Sequence, residues 1–227
     1  MSSAIKVLSG GAMRALLIEA VPLFESASGI KVDTRFALTS VLKKEIEDGA
    51  IFDIALLPRP ELDALAQHGH IAGGAQTNIT RSAVGLAVRV GAPKPDIGTV
   101  AAFKRALLAA RTVGYSDGPS GAYVTDLLQR LGIAQEMKPK IRLTSGPVAE
   151  LVAKGEAEIG LQQIVAILPV KGADLVGPLP AELQNVIVYA AGLSARSANN
   201  PAARHFIAFM ATPQAIDLIR AKGMEPG

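Results

Sequence analysis

Apolar and polar positions along the first third of the chain predict three strand–helix units in succession. Each unit begins with a short apolar run and continues with apolar residues at helical spacing. Strand–helix units in series are typical of a parallel sheet that is covered by helices on both faces. The predicted strands are Ile5–Leu8, Ile30–Phe36 and Ile51–Leu57, and the predicted helices are Ala15–Ala27, a segment from Val41 to Ile46, and Glu61–Gln67.

A second strand–helix series begins near Ser82. Its predicted strands are Val84–Val88, Thr112–Tyr115, Ile141–Leu143, Ile159–Gln162 and Val186–Ala191, and its helices, with the tail, are Val100–Ala110, Ala122–Leu131, Val148–Lys154, Pro201–Met210 and Pro213–Lys222. The two series predict an α/β protein with two lobes, residues 1–82 plus 190–227 and residues 83–189, each a mainly parallel sheet flanked by helices. Val84–Val88 and Val186–Tyr189 would be the two strands that cross between the lobes. Thr39 or Ser40 is the predicted N-cap of the second helix, and Asn199, Asn200 and Thr212 are candidate caps of the two tail helices.

Turns rich in glycine and small hydroxyl residues open helices in both series. They are Ser9-Gly10-Gly11-Ala12, Thr39-Ser40, Ser120-Gly121 and Ser145-Gly146. Glycine lets a ligand approach the main chain, and the first amides of a helix suit an anion. We therefore expect these turns to bind something negatively charged or rich in oxygen. The first turn could equally be an ordinary tight connection between a strand and a helix.

Composition narrows the range of functions. The chain has 227 residues, a net charge of +3 and only 4% aromatic residues, so neither a basic face nor a set of base-stacking side chains for nucleic acid is expected. There is no cysteine, and the three histidines do not form an H-E-x-x-H pattern, so we expect no metal site and no cofactor. The dinucleotide pattern G-x-G-x-x-G and the P-loop pattern are both absent.

Several segments resemble the molybdate-binding proteins of ABC transporters. They are Val7–Met13, Ile46–Ala50 before Phe52-Asp53-Ile54, Gly155–Gly160, and a tail containing Phe209-Met210 and Lys222-Gly223-Met224. The resemblance spans essentially the whole chain. It implies a type II periplasmic-binding-protein fold, with two α/β lobes hinged by two crossing strands and an oxyanion held in the cleft by neutral donors. It also implies a solute-binding component of an ABC uptake system, which captures a small oxyanion or organic acid and delivers it to a permease.

The resemblance also suggests ligand-binding positions. In the first lobe they fall on Gly10, Gly11 and Ala12, with Ser9 as the serine of this turn after a shift, and on Thr39 or Ser40. In the second lobe they fall on Ser120 and Gly121, near Ser145 and Gly146, and on Gln163, with Tyr123 following its turn as in the family. Two positions depart from the family pattern: Ala12 stands where a serine is usual, and Gln163 stands where a tyrosine is usual.

Arg14 and Gln163 point toward a different ligand. A glutamine both donates and accepts hydrogen bonds, and an arginine that faced the cleft would bind a carboxylate through two parallel hydrogen bonds. The alternatives are that Arg14 lies on the solvent side of the first helix, that Gln163 is a hydrogen-bonded strand end, and that Tyr123 belongs to the core of its lobe.

An enzyme remains the alternative to a binding protein. The fold family that the chain resembles includes an aconitate isomerase, which acts on a small unsaturated polycarboxylate. Such a reaction needs a positioned base, and no residue of the predicted turns is an unambiguous candidate, so no catalytic residue is assigned. We expect a monomer that is not embedded in a membrane, periplasmic if a signal peptide has been removed and cytoplasmic if Met1 is the native start.

Overall fold

A computed structural model describes residues 4–117 and 119–227, and of Ala75, Pro119 and Ser120 it describes the backbone alone. The chain divides into two compact units, one comprising the residues up to Arg81 and from Ile187 onward, the other comprising Ser82–Val186. The chain passes from the first unit to the second within one long strand and returns near the start of another. The structure thus contains two separately packed bodies.

Unit 1 is built on a mixed sheet in which the first three strands are parallel. The strands are β1 (Ile5–Gly10), β2 (Val32–Ala37), β3 (Ile54–Pro58), the first part of β4 (Ile71–Arg89), β9 (Val186–Ser194) and β10 (Glu225–Pro226). The order is β2-β1-β3-β9-β4, with β9 antiparallel to β3 and β10 antiparallel to β4. Its helices are α1 (Arg14–Ser28), α2 (Thr39–Glu47), α3 (Arg59–Gln67), α9 (Pro201–Phe209) and α10 (Pro213–Ala221).

Unit 2 repeats this plan with a smaller sheet. Its strands are the second part of β4 with β5 (Val113–Ser116), β6 (Ile141–Thr144), β7 (Ile159–Gln163) and β8 (Ala173–Pro178). The strands β7, β5 and β6 are parallel, whereas β4 is antiparallel to both β7 and β8. Its helices are α4 (Val100–Ala109), α5 (Pro119–Arg130), α6 (Ala134–Met137), α7 (Val148–Lys154) and α8 (Ile164–Ile167).

Each unit has its own hydrophobic core. In unit 1, Leu8 and Ala55 of the sheet pack against Leu42 and Ile46 of α2 and Leu62 of α3. On α1, Phe24 meets the rings of Phe206 and Phe209 of α9, at centroid distances of 5.0 and 5.5 Å. In unit 2, Phe103, Leu127 and Leu161 belong to one buried cluster. The helices are thus fixed to the sheets by the apolar stripes that predicted them.

The structure corrects two predicted elements. The strand expected over Val84–Val88 is the last part of a strand that runs from Ile71 to Arg89, and β8 lies where no strand was predicted. The segment from Gly73 to Thr77 has no alternation of apolar residues, because much of it is exposed. Its strand conformation depends on pairing with other strands of the sheet, which local sequence does not reveal.

Candidate functional site

The turn after β1 is open to a ligand at its backbone. Gly10 is extended, with φ −64° and ψ 151°, and Gly11 begins a turn of 3-10 helix that leads directly into α1. No side chain caps this start, so the first amides of the helix have no acceptor within the helix itself. Ser9 is fully buried, and its hydroxyl donates to the Gly10 carbonyl at 3.3 Å. The amides of this turn, more than the serine hydroxyl, are the groups available to an anion.

The start of α2 lies beside this turn. A Cβ atom placed on Gly10 would lie 3.4 Å from Thr39 Oγ1, so the two predicted ligand-binding segments of unit 1 are neighbours. The register explains the contact, because Gly10 pairs with Ala37 at the carboxyl ends of two parallel strands. Ligands of open α/β sheets bind at this edge.

Thr39 and Ser40 have a different place in α2 from the one predicted. The helix cap is Leu38, without a side-chain hydrogen bond, and the helix begins at Thr39. An N-cap role for either hydroxyl residue was therefore wrong. Among the described residues no hydrogen-bond partner of the Thr39 hydroxyl is found, so this hydroxyl is not committed to the backbone as a cap would be.

Arg14 lies over an aromatic ring at the same edge of the sheet. Its guanidinium carbon is 4.4 Å from the ring centroid of Phe36, which pairs with Ser9 in the register of β1 and β2. The side chain is exposed, and it is held in place by the ring through a cation–π contact. The sequence alternative that placed Arg14 on the solvent side of its helix did not include this contact.

Arg35, the residue before Phe36 on β2, differs from Arg14 because it forms an ion pair. The Arg35 guanidinium donates to the Glu45 carboxylate on α2 through both Nε and Nη2. Hydrogen bonding to Arg35 holds the pKa of the Glu45 carboxyl below its ordinary value. The charge of Arg35 is therefore compensated within unit 1. Arg14 has no carboxylate within ion-pair distance in the part of the chain that the structure describes.

In unit 2, Ser120 and Gly121 lie within the first turn of α5, and this turn requires glycine at position 121. A Cβ atom on Gly121 would lie 1.5 Å from the Ser116 carbonyl oxygen, so the first turn of α5 packs directly on the end of β5. The side chain of Ser120 lies outside the described residues. Tyr123 is partly buried against the unit 2 core, and its hydroxyl donates to the Leu183 carbonyl. The Tyr123 hydroxyl is therefore already hydrogen-bonded within unit 2.

The turn after β6 is held by its own hydrogen bonds. The Gly146 amide donates to Thr144 Oγ1 at 2.9 Å, and the Asp117 amide donates to the Thr144 carbonyl at 3.0 Å. Thr144 therefore links the ends of β5 and β6, a role that the sequence did not suggest. Ser145 is exposed between them. A ligand that used the Gly146 amide would have to replace the threonine hydroxyl as its acceptor.

The end of β7 carries adjacent glutamines. Gln162 Oε1 accepts a hydrogen bond from the Ala149 amide at 3.2 Å, in the first turn of α7, and so serves the helix start. Gln163 pairs with Val84 across the sheet and immediately precedes α8. Because β7, β5 and β6 are parallel, Gln163, Ser116 and Thr144 end their strands at the same edge of the unit 2 sheet.

The described residues contain neither a cluster of metal-ligating side chains nor a membrane-spanning helix. No three His, Asp or Glu side chains come together in them as the ligands of a metal ion would. None of their helices combines the length and the apolar character needed to cross a membrane.

Comparison with known proteins identifies the family. The sequence profile of the bacterial extracellular solute-binding proteins matches residues 5–225. The chain belongs to this family. Its fold is that of the type II periplasmic-binding proteins: the substrate-binding domain of a putative molybdenum ABC transporter from Clostridium difficile superposes with a TM-score of 0.84 at 14% identity, over 100% of both chains. The fold class and the family resemblance inferred from the sequence are confirmed.

Curated relatives include both a binding protein and an enzyme. An aconitate isomerase from a Pseudomonas species is 32% identical over 98% of this chain and 87% of its own length. The molybdate-binding protein ModA of Azotobacter vinelandii is 28% identical over 88% of this chain and 81% of its own. Similar chains of this length therefore include one named for binding an inorganic oxyanion and one named for acting on an organic acid.

Proposed function

We propose that this member of the solute-binding family captures a small anion for uptake by an ABC transporter, with a permease as its partner. In unit 1 the anion would be held by the backbone of Gly10, Gly11 and Ala12 and by the hydroxyls of Thr39 and Ser40. The observation that carries this proposal is the contact between Gly10 and Thr39, because two segments that were predicted separately meet at the carboxyl edge of one sheet. In unit 2 the candidates remain Ser120, Gly121, Ser145, Gly146 and Gln163.

Neutral donors are sufficient for useful affinity. Each hydrogen bond to a charged acceptor contributes about 1.5 to 3 kcal/mol. Micromolar binding requires about 8 kcal/mol. Five or six donors near the upper end of this range supply about 15 to 18 kcal/mol, which leaves about 8 kcal/mol after an association cost of about 7 to 10 kcal/mol. The amides of the Gly10–Ala12 turn and the Thr39 hydroxyl would supply part of this set. A dehydrated, fully deprotonated anion suits such a site, because every group that surrounds it donates.

Titration calorimetry with molybdate, tungstate, sulfate, phosphate, citrate and the two aconitate isomers tests the proposal. We expect one of these anions to bind with micromolar or tighter affinity. Ser120→Asp should abolish that binding, because it places a like charge at a candidate ligand-binding position of unit 2. Thr39→Val should weaken it by about 10- to 100-fold, which corresponds to the loss of one hydrogen bond to a charged group.

A matched control comes from the same unit. Thr77→Val changes an exposed threonine of β4 in the same way and should leave the affinity unchanged. Unchanged affinity in Ser120→Asp would exclude the first turn of α5 from the candidate site. Equal losses of affinity in Thr39→Val and Thr77→Val would exclude Thr39 as a ligand-binding residue.

The second candidate function is isomerisation of a small unsaturated acid. It is favoured by the identity of 32% to an aconitate isomerase over nearly the whole chain. Asp117 is the acidic side chain next to the predicted turns of unit 2, exposed at the end of β5, where its amide is fixed by Thr144. It is the candidate for the base that such a proton shift needs. Conversion of cis- to trans-aconitate, followed by proton NMR, would establish an enzyme, whereas tight binding without conversion would establish a binding protein.

A further inference from the structure

We propose that Arg14 binds a carboxylate of the solute, and that the solute is consequently a small organic acid with an apolar carbon skeleton. This inference rests on the proposed anion site of unit 1 and specifies its ligand. It goes further than the neutral-donor site described above, since it adds one full positive charge and a geometric requirement. An inorganic tetrahedral anion would need neither.

The position of Arg14 places its charge next to the proposed site. Arg14 is the first residue of α1 and directly follows the Gly11–Met13 turn. Its guanidinium carbon lies 4.4 Å from the centroid of Phe36, and Phe36 is the neighbour of Ala37, which pairs with Gly10. The side chain therefore returns toward the carboxyl ends of β1 and β2.

The guanidinium is also chemically available. A guanidinium that lies on a ring face keeps its N–H donors in the guanidinium plane, where they remain free for hydrogen bonding. Other arginines of unit 1 use this capacity on carboxylates, as Arg35 does with Glu45 and Arg59 does with Asp63. For Arg14 the described residues provide the cation–π contact with Phe36 and neither a side-chain hydrogen bond nor an ion pair, so its donors are left for a ligand.

Exposed apolar side chains beside Thr39 and Ser40 fit the rest of an organic acid. Leu38 is 73% exposed and Val41 is 42% exposed, although both are large aliphatic side chains. They lie at the cap and in the first turn of α2, on either side of Thr39 and Ser40. Contact with the carbon skeleton of a ligand would remove this surface from water, which is favourable in proportion to the area covered. Molybdate or sulfate offers no apolar surface for such a contact.

Arginine variants test the inference by titration calorimetry with citrate, cis-aconitate, trans-aconitate, molybdate and sulfate. We expect the wild-type chain to bind at least one of the carboxylates more tightly than either inorganic anion. Arg14→Gln should weaken that binding by about 10- to 100-fold, since a hydrogen-bonded charge pair is lost. Arg14→Lys should recover only part of the affinity, because an ammonium keeps the charge but cannot form two parallel hydrogen bonds.

Arg35→Gln is the matched control, because Arg35 lies on the strand that carries Phe36 but is paired with Glu45. It should leave the carboxylate affinity unchanged. Equal carboxylate affinity in wild type and Arg14→Gln, or tighter binding of molybdate than of every carboxylate, would overturn the inference and leave the proposed function intact. Failure of all five anions to bind, and of tungstate and phosphate as well, would contradict the proposed function and the inference with it.

Discussion

Among the glycines that the structure describes, Gly121 has the least room for a side chain. A methyl group there would lie 1.5 Å from the Ser116 carbonyl oxygen, which is backbone and cannot rotate away. We predict that Gly121→Ala destabilises unit 2 by at least about 1 to 3 kcal/mol, the usual cost of overpacking. The midpoint of thermal unfolding, followed by circular dichroism, should fall by several degrees.

The control for this prediction is Gly11→Ala. A Cβ atom on Gly11 would meet no heavy atom within 4 Å, and its φ angle is not in the left-handed region. Its unfolding midpoint should therefore equal that of the wild type. If the two alanine variants unfolded at the same temperature, the close packing of α5 on the end of β5 would be contradicted.

Single residues of the candidate site could be predicted from sequence only where their role is local. The turns at Gly10–Gly11 and Gly121 were found because glycine and serine between a strand and a helix form a pattern within a few positions. The contacts of Arg14 with Phe36 and of Tyr123 with Leu183 join positions far apart in the chain. The spacing of apolar and polar residues does not reveal such long-range pairs. It also does not distinguish Thr144 from any other residue at the end of a strand.

Among the elements, α9 depends on a cap that also bonds to the residue preceding β3. Asn200 Oδ1 accepts from the amides of Ala202 and Ala203, while Nδ2 donates to Asp53 Oδ1 at 3.0 Å. We predict that Asn200→Ala lowers the free energy of unfolding by about 1 to 2 kcal/mol, at the upper part of the range for caps, because the bond to Asp53 is lost as well. Urea denaturation would measure the loss.

Asn199→Ala provides the comparison within the same turn. Asn199 is exposed and precedes the cap, so its removal should change the free energy of unfolding by less than about 0.5 kcal/mol. A larger loss in Asn199→Ala than in Asn200→Ala would mean that the helix start is assigned to the wrong residue. From the sequence alone, both asparagines were candidates for the cap.

Helices and strands could be predicted where their own residues show a cap or a regular spacing of apolar positions. The helix α10 shows Thr212 followed by proline and an apolar stripe, and its predicted cap is confirmed by the bond from the Ala215 amide to Thr212 Oγ1. By contrast, β4 extends through the exposed segment Gly73–Thr77, where the stabilising hydrogen bonds belong to other strands. Helix α2 begins at Thr39, with Leu38 as its cap, which no preference for small polar caps would predict.

At the scale of the whole molecule, two series of strand–helix units predicted the fold class because each unit must bury its own apolar face. The chain passes from unit 1 to unit 2 after Arg81 and returns to unit 1 after Val186. Both positions lie inside continuous strands. No linker of proline, glycine or charged residues marks these positions, so their placement from sequence relied on the order of elements. The ligand is determined by a few donors and is the least predictable property of the chain.

Ligand binding should raise the stability of the whole chain by an amount that mass action fixes. A ligand at 100 times its dissociation constant adds about 2.7 kcal/mol to the free energy of unfolding. For a chain of this size about 2 to 4 °C correspond to each kcal/mol, so the unfolding midpoint should rise by about 5 to 11 °C. Sodium chloride at the same ionic strength is the control, because it screens exposed ion pairs such as Lys31–Glu25 without saturating a site. An equal rise with sodium chloride would show that the effect is ionic strength and not a specific complex.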